Sequence, residues 1–417
     1  MKILVIIFVS YTHLDVYMQT NKMYLLFNFD NGVVAGIDKK AAIFYKKLLN
    51  SDVDIAELDD EETNFFEYLI DSEFIYKEMV TKNNSPVSAY LHLTNKCNLH
   101  CVGCYSLDDK RNACPDMSTM EIFDALSQLR DIGVENVVFS GGEPLLTKDI
   151  LKIVKYAKEE CKFPNLILIT NGTIFNKKLL SELPKYIDVV SVSLDTYSSE
   201  SEPFLRDAGI FDKIMRSISW LIETGNKVNI LPTIHHLNAN DLEKYVELSN
   251  KLGVSISFSL LSACYEGELL KYLPNKDDLI SISNFMKGND LSIDDSSISS
   301  ELFHAENNCG AGQTIVSVGT DGNVYPCHML MYDEFCIGNT KSTHIRDMLK
   351  NSPIIKDFKD INVDNLDGKC RLCKFRYFCG GGCRARAYMK TNRIKACDPY
   401  CSLFTDYYTD ITKDIFE

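Results

Sequence analysis

The chain has 417 residues, of which 44 are basic, 58 are acidic and 15 are cysteine, and its net charge is -14. This length exceeds what one hydrophobic core usually organises, so we expect two or three domains. The acidic balance argues against a basic surface for phosphate groups, so no nucleic acid and no membrane is expected as a partner. The cysteines stand at metal-ligand spacings, which indicates a reducing, cytoplasmic location.

Residues 1–10 are apolar with a single Lys, but the run is too short to span a bilayer and no clear cleavage site follows it. Residues 11–17 resemble translated sequencing-adapter sequence, which leaves a native start near Met18 or Met23 open. No expectation is therefore built on residues 1–20.

A first domain is expected over residues 1–87. The turn Asp30-Asn31-Gly32 separates two apolar runs and predicts a β-hairpin of residues 24–29 and 33–37. Two helical patterns follow, the second after the acidic residues 59–62, which suit the first turn of a helix. Residues 82–86 have the composition of a linker.

From residue 88 onward, strands and amphipathic helices alternate, which is the pattern of a parallel sheet with crossover helices. The predicted strands are residues 89–93, 136–139, 166–170, 189–194, 228–233 and 255–261. Ligands of such sheets bind at the carboxyl ends of the strands. The loops that follow the strands are therefore where we look for a site.

Three cysteines, Cys97, Cys101 and Cys104, follow the first predicted strand in the order Cys-x-x-x-Cys-x-x-Cys. Iron-sulfur clusters are usually held by four thiolates, so three on one loop leave one iron open to a small molecule. The alternative is a closed tetrahedral zinc site in which His100 or a distant residue is the fourth ligand.

The run from Cys97 to Tyr105, with an aromatic residue after the third cysteine, resembles the cluster loop of the radical S-adenosylmethionine (radical SAM) enzymes. The resemblance implies a partial (β/α)6 TIM-like barrel and a [4Fe-4S] cluster whose open iron binds SAM, with Tyr105 among the cofactor-binding residues. In that family the reduced cluster passes an electron to SAM, and a 5′-deoxyadenosyl radical results. This radical removes hydrogen from unactivated C–H bonds, which no side chain can do.

The second predicted strand leads into Ser140-Gly141-Gly142-Glu143-Pro144. The glycines let the backbone approach a ligand closely, and Glu143 offers an acceptor for an ammonium group. Because this run follows the cysteine loop by one βα unit, it resembles the family's Gly-Gly-Glu-Pro element. The resemblance implies that Gly141, Gly142, Glu143 and Pro144 hold the amino group of SAM.

Two further residues match the family by position. Ser193 ends the fourth strand and Arg206 stands on the next loop, and the resemblance implies contacts of these two with the ribose and carboxylate of SAM. A surface salt bridge is the alternative for Arg206. Residues 170–172 are expected at another edge of the pocket.

Residues 262–300 are polar and are expected to form a bridging loop and helix that close a second domain over residues 88–300. A third domain over residues 301–417 is dense in cysteine and glycine. It begins with a predicted hairpin at residues 314–325, which Cys309 and Cys327 flank, and it continues with Cys370, Cys373, Cys379 and Cys383.

Together with Cys401, this set resembles the SPASM domain, which carries auxiliary iron-sulfur clusters; a zinc ribbon is the alternative. The resemblance implies one cluster on Cys370, Cys373, Cys379 and Cys401, with Cys397 competing for the last place. It implies another on Cys309, Cys327 and Cys383. Some relatives have a fourth cysteine where this chain has Phe303, so Cys336 or Cys264 fills that place or the iron is open. An open iron would capture a substrate thiolate and points to thioether formation.

Relatives with SPASM domains mostly modify peptides, and the first domain resembles the winged-helix element that adds a strand of a leader peptide to a sheet edge; a plain structural appendage is the alternative. We therefore expect a maturase of a ribosomally made precursor peptide, leader and core, with flavodoxin or ferredoxin as electron donor. The rivals are a sulfatase maturase that forms formylglycine, which has Asp where this chain has His328, and a non-catalytic electron-transfer module. No catalytic base or radical donor is identified.

Overall fold

The structure is a computed structural model that describes residues 7–8, 13–15, 23–49, 53, 57–76, 86–102, 104, 115–201, 209–264, 267–289, 292–294, 297–299 and 304–413. Two residues predicted at the SAM pocket, Tyr105 and Arg206, lie outside these ranges. Phe303 and residues 82–85 of the predicted linker also lie outside them.

The N-terminal unit contains a small sheet and two helices, as the sequence predicts. Its elements are β1 (Ile7–Phe8), β2 (His13–Asp15), β3 (Tyr24–Phe27), β4 (Val34–Ile37), α1 (Lys39–Leu49), α2 (Asp60–Asp71) and β5 (Ile75–Tyr76). Strands β3 and β4 pair antiparallel across the predicted turn, and β2 pairs with the other edge of β3. Helix α2 begins with a capping box between Asp59 and Glu62, so the acidic run starts this helix.

The middle of the chain forms the predicted parallel sheet, and all six expected strands are present. They are β6 (Ser88–Thr94), β7 (Asn136–Gly141), β8 (Asn165–Thr170), β9 (Val189–Ser193), β10 (Val228–Leu231) continued by β11 (Thr233–Ile234), and β12 (Ser255–Ile256) continued by β13 (Phe258–Leu260). The helices between them are α3 (Thr119–Asp131), α4 (Ile150–Lys155), α5 (Lys177–Glu182), α6 (Phe211–Glu223) and α7 (Leu242–Leu252).

Side chains alternate between the two faces of this sheet. On β6, Ala89, Leu91 and Leu93 are buried in the core that also contains the apolar residues of the crossover helices. Tyr90 and His92 therefore lie on the opposite, inner face of the partial barrel. A strand that is apolar on one face and carries polar aromatic rings on the other is typical of a sheet that borders a binding cavity.

The C-terminal part continues the same sheet. Its elements, after α8 (Lys276–Gly288), β14 (Ser292–Asp294) and β15 (Ser297–Ser299), are β16 (Ile315–Val318), β17 (Asn323–Tyr325), β18 (Gly338–Asn339), α9 (Ile345–Asn351), α10 (Pro353–Asp360), α11 (Arg376–Cys379), α12 (Arg384–Thr391) and α13 (Cys401–Ile411). The predicted hairpin is β16 and β17. Strand β16 also pairs in parallel with β6, so one sheet crosses the position at residue 301 where the sequence suggests a domain boundary.

The N-terminal unit packs against the cysteine-rich part through its hairpin. The ring of Phe27 lies 5.1 Å from that of Phe378 and 5.4 Å from that of Tyr377. The N–H of Ala305 donates a hydrogen bond of 2.8 Å to the carbonyl of Gly32. The described ranges contain no helix with the length and apolar character that crossing a membrane requires.

Candidate functional site

The cysteine loop starts where β6 ends, and one carboxylate holds its first residues. Asp116 accepts hydrogen bonds from the Thr94 hydroxyl at 2.6 Å and from the Asn95 N–H at 2.8 Å. Cys97, Cys101 and Cys104 follow, and all three are half-buried. The three thiols therefore lie at the carboxyl edge of the sheet, where the sequence places them.

Gly141 and Gly142 pack directly against the start of that loop. The N–H of Gly142 donates to the Thr94 carbonyl at 2.7 Å, and the N–H of Glu143 donates to the Lys96 carbonyl at 2.8 Å. Gly141 has a φ of +127°, and a Cβ at Gly142 would lie 2.3 Å from the Lys96 carbonyl oxygen. The close backbone approach expected of these glycines is therefore made first of all to the cysteine loop itself.

Glu143 is fully buried and joins two neighbouring strand ends. Its carboxylate accepts hydrogen bonds from the Leu145 N–H at 3.0 Å, the Thr170 hydroxyl at 2.8 Å and the Asn171 N–H at 2.8 Å. The predicted role of this carboxylate as acceptor for an ammonium group stays a prediction. Its observed contacts fix the loop after β7 to the end of β8.

Asn171 connects this network to the cysteines. Its side-chain amide donates to Asn98 at 3.0 Å and lies 3.8 Å from the sulfur of Cys97. The expected pocket edge at residues 170–172 thus reaches the cysteine loop. Sequence reasoning placed Asn171 at the pocket edge but did not predict its contacts, and it did not single out Asp116, because these contacts join residues that are far apart in the chain.

The donor set of the cysteine loop consists of three thiols. Thiolates are soft ligands that suit an iron-sulfur cluster, in which each thiolate binds a separate iron atom. When bound at Cys97, Cys101 and Cys104, the cluster and SAM would supply the radical chemistry.

Ser193 lies at the same edge, at the end of β9, and is 9% exposed. Inward of it along the strand, Ser191 receives a hydrogen bond of 3.4 Å from the Asn229 amide on β10. The inner face of the partial barrel is therefore polar at these strands. The predicted contacts of Ser193 with SAM stay a prediction.

A pair of histidines lies on the inner face near β6. The ring of His328 stacks on Tyr90 with 3.9 Å between ring centres. Burial lowers the pKa of His92 to about 4. Burial and the charge of His92 lower the pKa of His328 to about 3, so both rings are neutral near pH 7. Sequence reasoning noted His328 only as a departure from a rival family, and the alternation of β6 is the signal that could have found His92.

Five cysteines of the C-terminal part act on one another electrostatically. The sulfur of Cys370 lies 3.2 Å from that of Cys397. Burial raises the pKa of Cys379 most, and the charges of Cys401 and Cys373 raise it further. Burial, Cys397 and the charge of Cys401 raise the pKa of Cys370 in the same way. These interactions involve all four cysteines predicted for one cluster and Cys397 as well. The choice between Cys397 and Cys401 stays open.

Cys309, Cys327 and Cys383, predicted for another cluster, pack in one apolar cluster of side chains that also contains Cys336, Cys370 and Cys397. The two candidates for a fourth ligand also have contacts of their own. The thiol of Cys336 lies 3.6 Å from the Gly338 carbonyl, and Cys264 is exposed and interacts with the Tyr332 hydroxyl. An open iron at this position stays a prediction.

Two family profiles match the chain. The profile described as the radical SAM superfamily matches residues 91–249, and the SPASM profile, described as an iron-sulfur cluster-binding domain, matches residues 309–374. Residues 91–249 therefore form a radical SAM domain, and residues 309–374 fall within a SPASM domain. These two domains imply a radical SAM enzyme whose cofactors are SAM, a [4Fe-4S] cluster and auxiliary iron-sulfur clusters.

Curated relatives share about a quarter of their residues with this chain. Mycofactocin maturase MftC of Mycobacterium tuberculosis is 27% identical over 337 residues, which cover 76% of this chain and 83% of the relative. AdoMet-dependent heme synthase of Methanosarcina barkeri is 26% identical, and the match covers 78% of this chain and 98% of the relative. PqqA peptide cyclase of Gluconobacter oxydans is 25% identical, and the match covers 78% of this chain and 92% of the relative.

Solved structures share the fold. The anSMEcpe structure with bound AdoMet has a TM-score of 0.64 and 20% identity, and the match covers 79% of this chain and 98% of that chain. Streptococcus suis SuiB bound to precursor peptide SuiA has a TM-score of 0.58 and 18% identity, and the match covers 91% of this chain and 96% of the SuiB chain.

Proposed function

We propose that this radical SAM enzyme is a maturase that crosslinks a ribosomally made precursor peptide. The observation that carries the proposal is the N-terminal unit, which is packed on the cysteine-rich part. The likeness to SuiB, a structure with a precursor peptide, covers 91% of this chain, whereas the likeness to anSMEcpe covers 79%. The additional coverage favours a peptide-binding role for this unit over a plain appendage.

Strand β4 is the proposed docking edge for the leader peptide. Among the described residues, β4 pairs with β3 on one side and with no strand on the other. A cavity of about 310 Å³ lies beside its end, between α1 and α2, with Phe44, Phe65 and Tyr68 on its walls. An extended leader added to β4 would form main-chain hydrogen bonds and place alternate side chains in this cavity.

The bond formed is proposed to be a thioether. Its formation removes one hydrogen atom from a carbon and one proton from a cysteine thiol of the peptide, and one electron must then leave the substrate. The cluster and SAM, held at Cys97, Cys101 and Cys104, would supply the radical that takes the hydrogen atom, and an auxiliary cluster would accept the electron. A carbon-carbon bond is the alternative product. Flavodoxin or ferredoxin is the proposed donor of the electron that starts each turnover.

A reducing cytoplasm is the proposed location, because every cysteine within the described residues is a free thiol and many stand at ligand spacings. A sulfatase maturase, the rival, is disfavoured by His328 in place of an Asp base.

The test uses anaerobically reconstituted full-length protein with dithionite, SAM and the product of a small cysteine-containing reading frame beside the gene. We expect 5′-deoxyadenosine and a peptide that has lost two hydrogen atoms per crosslink by mass spectrometry. Cys97→Ala should abolish both products, and Cys161→Ala, at a buried thiol outside the predicted ligand sets, should retain them. Formylglycine in a sulfatase peptide instead would support the rival.

A further inference from the structure

Two arginines near Cys383 are the most deeply buried charges of the C-terminal part. Arg384 and Arg386 are each 1% exposed. A buried cation is strongly unfavourable unless it is paired and its donors are satisfied. The surroundings of these two guanidinium groups therefore indicate which other charges belong at this place.

Arg386 is paired, but one of its donors is left over. Its Nε and Nη2 donate to the Asp398 carboxylate at 2.7 to 3.1 Å. Asp398 also accepts from the N–H groups of Cys383 at 2.7 Å and Tyr400 at 2.8 Å. The Nη1 of Arg386 is buried and has no hydrogen-bond partner among the described residues. Such a buried donor is destabilising unless an acceptor that is not part of the polypeptide faces it.

Arg384 is not paired with a carboxylate within the described part of the chain. Its guanidinium donates to the carbonyls of Gly382 at 3.2 Å, Ile394 at 3.0 Å and Ala396 at 2.8 Å, and also to that of Gly381. These carbonyls belong to the segment between Cys379 and Cys383 and to the segment before Cys397. One whole positive charge is therefore held by the carbonyls of segments that adjoin predicted ligands of both clusters, and it acts to lower the pKa of Cys370.

Clusters ligated by cysteine thiolates carry net negative charge, and their sulfurs accept hydrogen bonds. We propose that Arg384 and Arg386 are the internal counter-charges of the auxiliary clusters, with Arg386 Nη1 donating to a sulfur of the cluster that Cys383 holds. Both interactions favour the reduced, more negative state, so the two arginines raise the reduction potentials of these clusters. The inference rests on the proposed electron-acceptor role of the clusters, and the arginines are positioning residues.

The test is an EPR-monitored redox titration of reconstituted full-length protein without peptide, together with iron analysis. For Arg386→Gln and Arg384→Gln we expect the reduced-to-oxidised ratio of an auxiliary cluster, at its wild-type midpoint, to fall at least tenfold. That change equals 59 mV for a one-electron couple. The cluster at Cys97 is the internal reference and should keep its midpoint. Arg393→Gln, at an arginine whose side chain is 67% exposed, is the matched control and should leave the midpoints of the auxiliary clusters and of the cluster at Cys97 unchanged.

Lysine variants separate charge from structure. Arg384→Lys and Arg386→Lys keep the charge without the planar fork, so we expect full iron content and most of the potential restored. Unchanged potentials in the glutamine variants at full iron content would overturn the inference. Loss of auxiliary iron in both the glutamine and lysine variants would overturn it as well, because the arginines would then act on folding alone. Since no peptide is used, failure here is distinct from failure of the proposed maturase activity.

Discussion

The two regions that contain the predicted cluster ligands differ in the charge of their buried side chains. Around the cysteine loop after β6, the polar partners are carboxylates and amides: Glu143 and Asn171 are buried, and Asp116 is half-buried. Around Cys383, the buried charged side chains are one carboxylate, Asp398, and two cations, Arg384 and Arg386. Buried cations suit clusters that only take up and release electrons, whereas a half-buried loop whose buried partners are acidic and neutral suits a cluster that exchanges a small molecule.

The largest expected effect tests the buried ion pair of the C-terminal region. Asp398→Asn would leave Arg386 buried without its counter-charge, and we expect the free energy of unfolding to fall by about 3–5 kcal/mol. Asp367→Asn removes a surface partner of Arg393 and should lower the free energy of unfolding by about 1 kcal/mol or less. Chemical denaturation of the two variants measures both values. Equal effects would contradict the description of Arg386 and Asp398 as a buried ion pair whose loss leaves a buried charge without its partner.

The next effect concerns the contact between the glycine loop and the cysteine loop. In Gly142→Ala the new Cβ would lie 2.3 Å from the Lys96 carbonyl oxygen, a backbone atom that cannot move alone. We expect destabilisation of about 3 kcal/mol, the upper end for overpacking, and loss of SAM cleavage. Gly288→Ala, where a Cβ meets nothing within 4 Å, is the control and should retain both. Normal cleavage by Gly142→Ala would show that the loops need not touch.

A third effect is a pH dependence from the inner face of the barrel. His92 has a folded-state pKa of about 4, below the unfolded value of 6.5, so the unfolded chain binds a proton that the folded chain excludes. Stability therefore falls as pH decreases from about 6.5 towards 4, by about 2 kcal/mol between pH 7 and pH 5. His92→Gln should remove this part of the slope in denaturation curves at the two pH values. If the pH dependence of stability is the same in His92→Gln as in the wild type, another group takes up the proton on unfolding.

The smallest effect tests the docking edge of the N-terminal unit. Phe65→Ala enlarges the cavity beside β4, and we expect the affinity for the precursor peptide to fall about tenfold, or about 1.4 kcal/mol. Ile43→Ala, on the exposed side of α1 and outside the cavity lining, is the control. Fluorescence anisotropy with the labelled peptide measures both. Equal affinities would place the leader on another surface.

Much of the architecture could be predicted because it is local. The six strands follow from apolar runs bounded by turns, and the cysteine and glycine motifs follow those strands directly. The pairing of β16 with β6 could not be predicted, because a strand of four residues does not specify its partner. The burial of Arg384 and Arg386 was also missed, since charged residues are expected at the surface unless a partner is known.

The central claim is that Cys97, Cys101 and Cys104 hold a cluster with an iron open to SAM. The direct measurement is the EPR spectrum of dithionite-reduced, reconstituted protein with and without SAM, for the wild type and for a variant with all three cysteines changed to alanine. We predict that SAM alters the wild-type spectrum and is cleaved to 5′-deoxyadenosine, and that the variant shows neither effect while keeping its auxiliary iron. Zinc at this loop, or SAM cleavage by the variant, would contradict the claim.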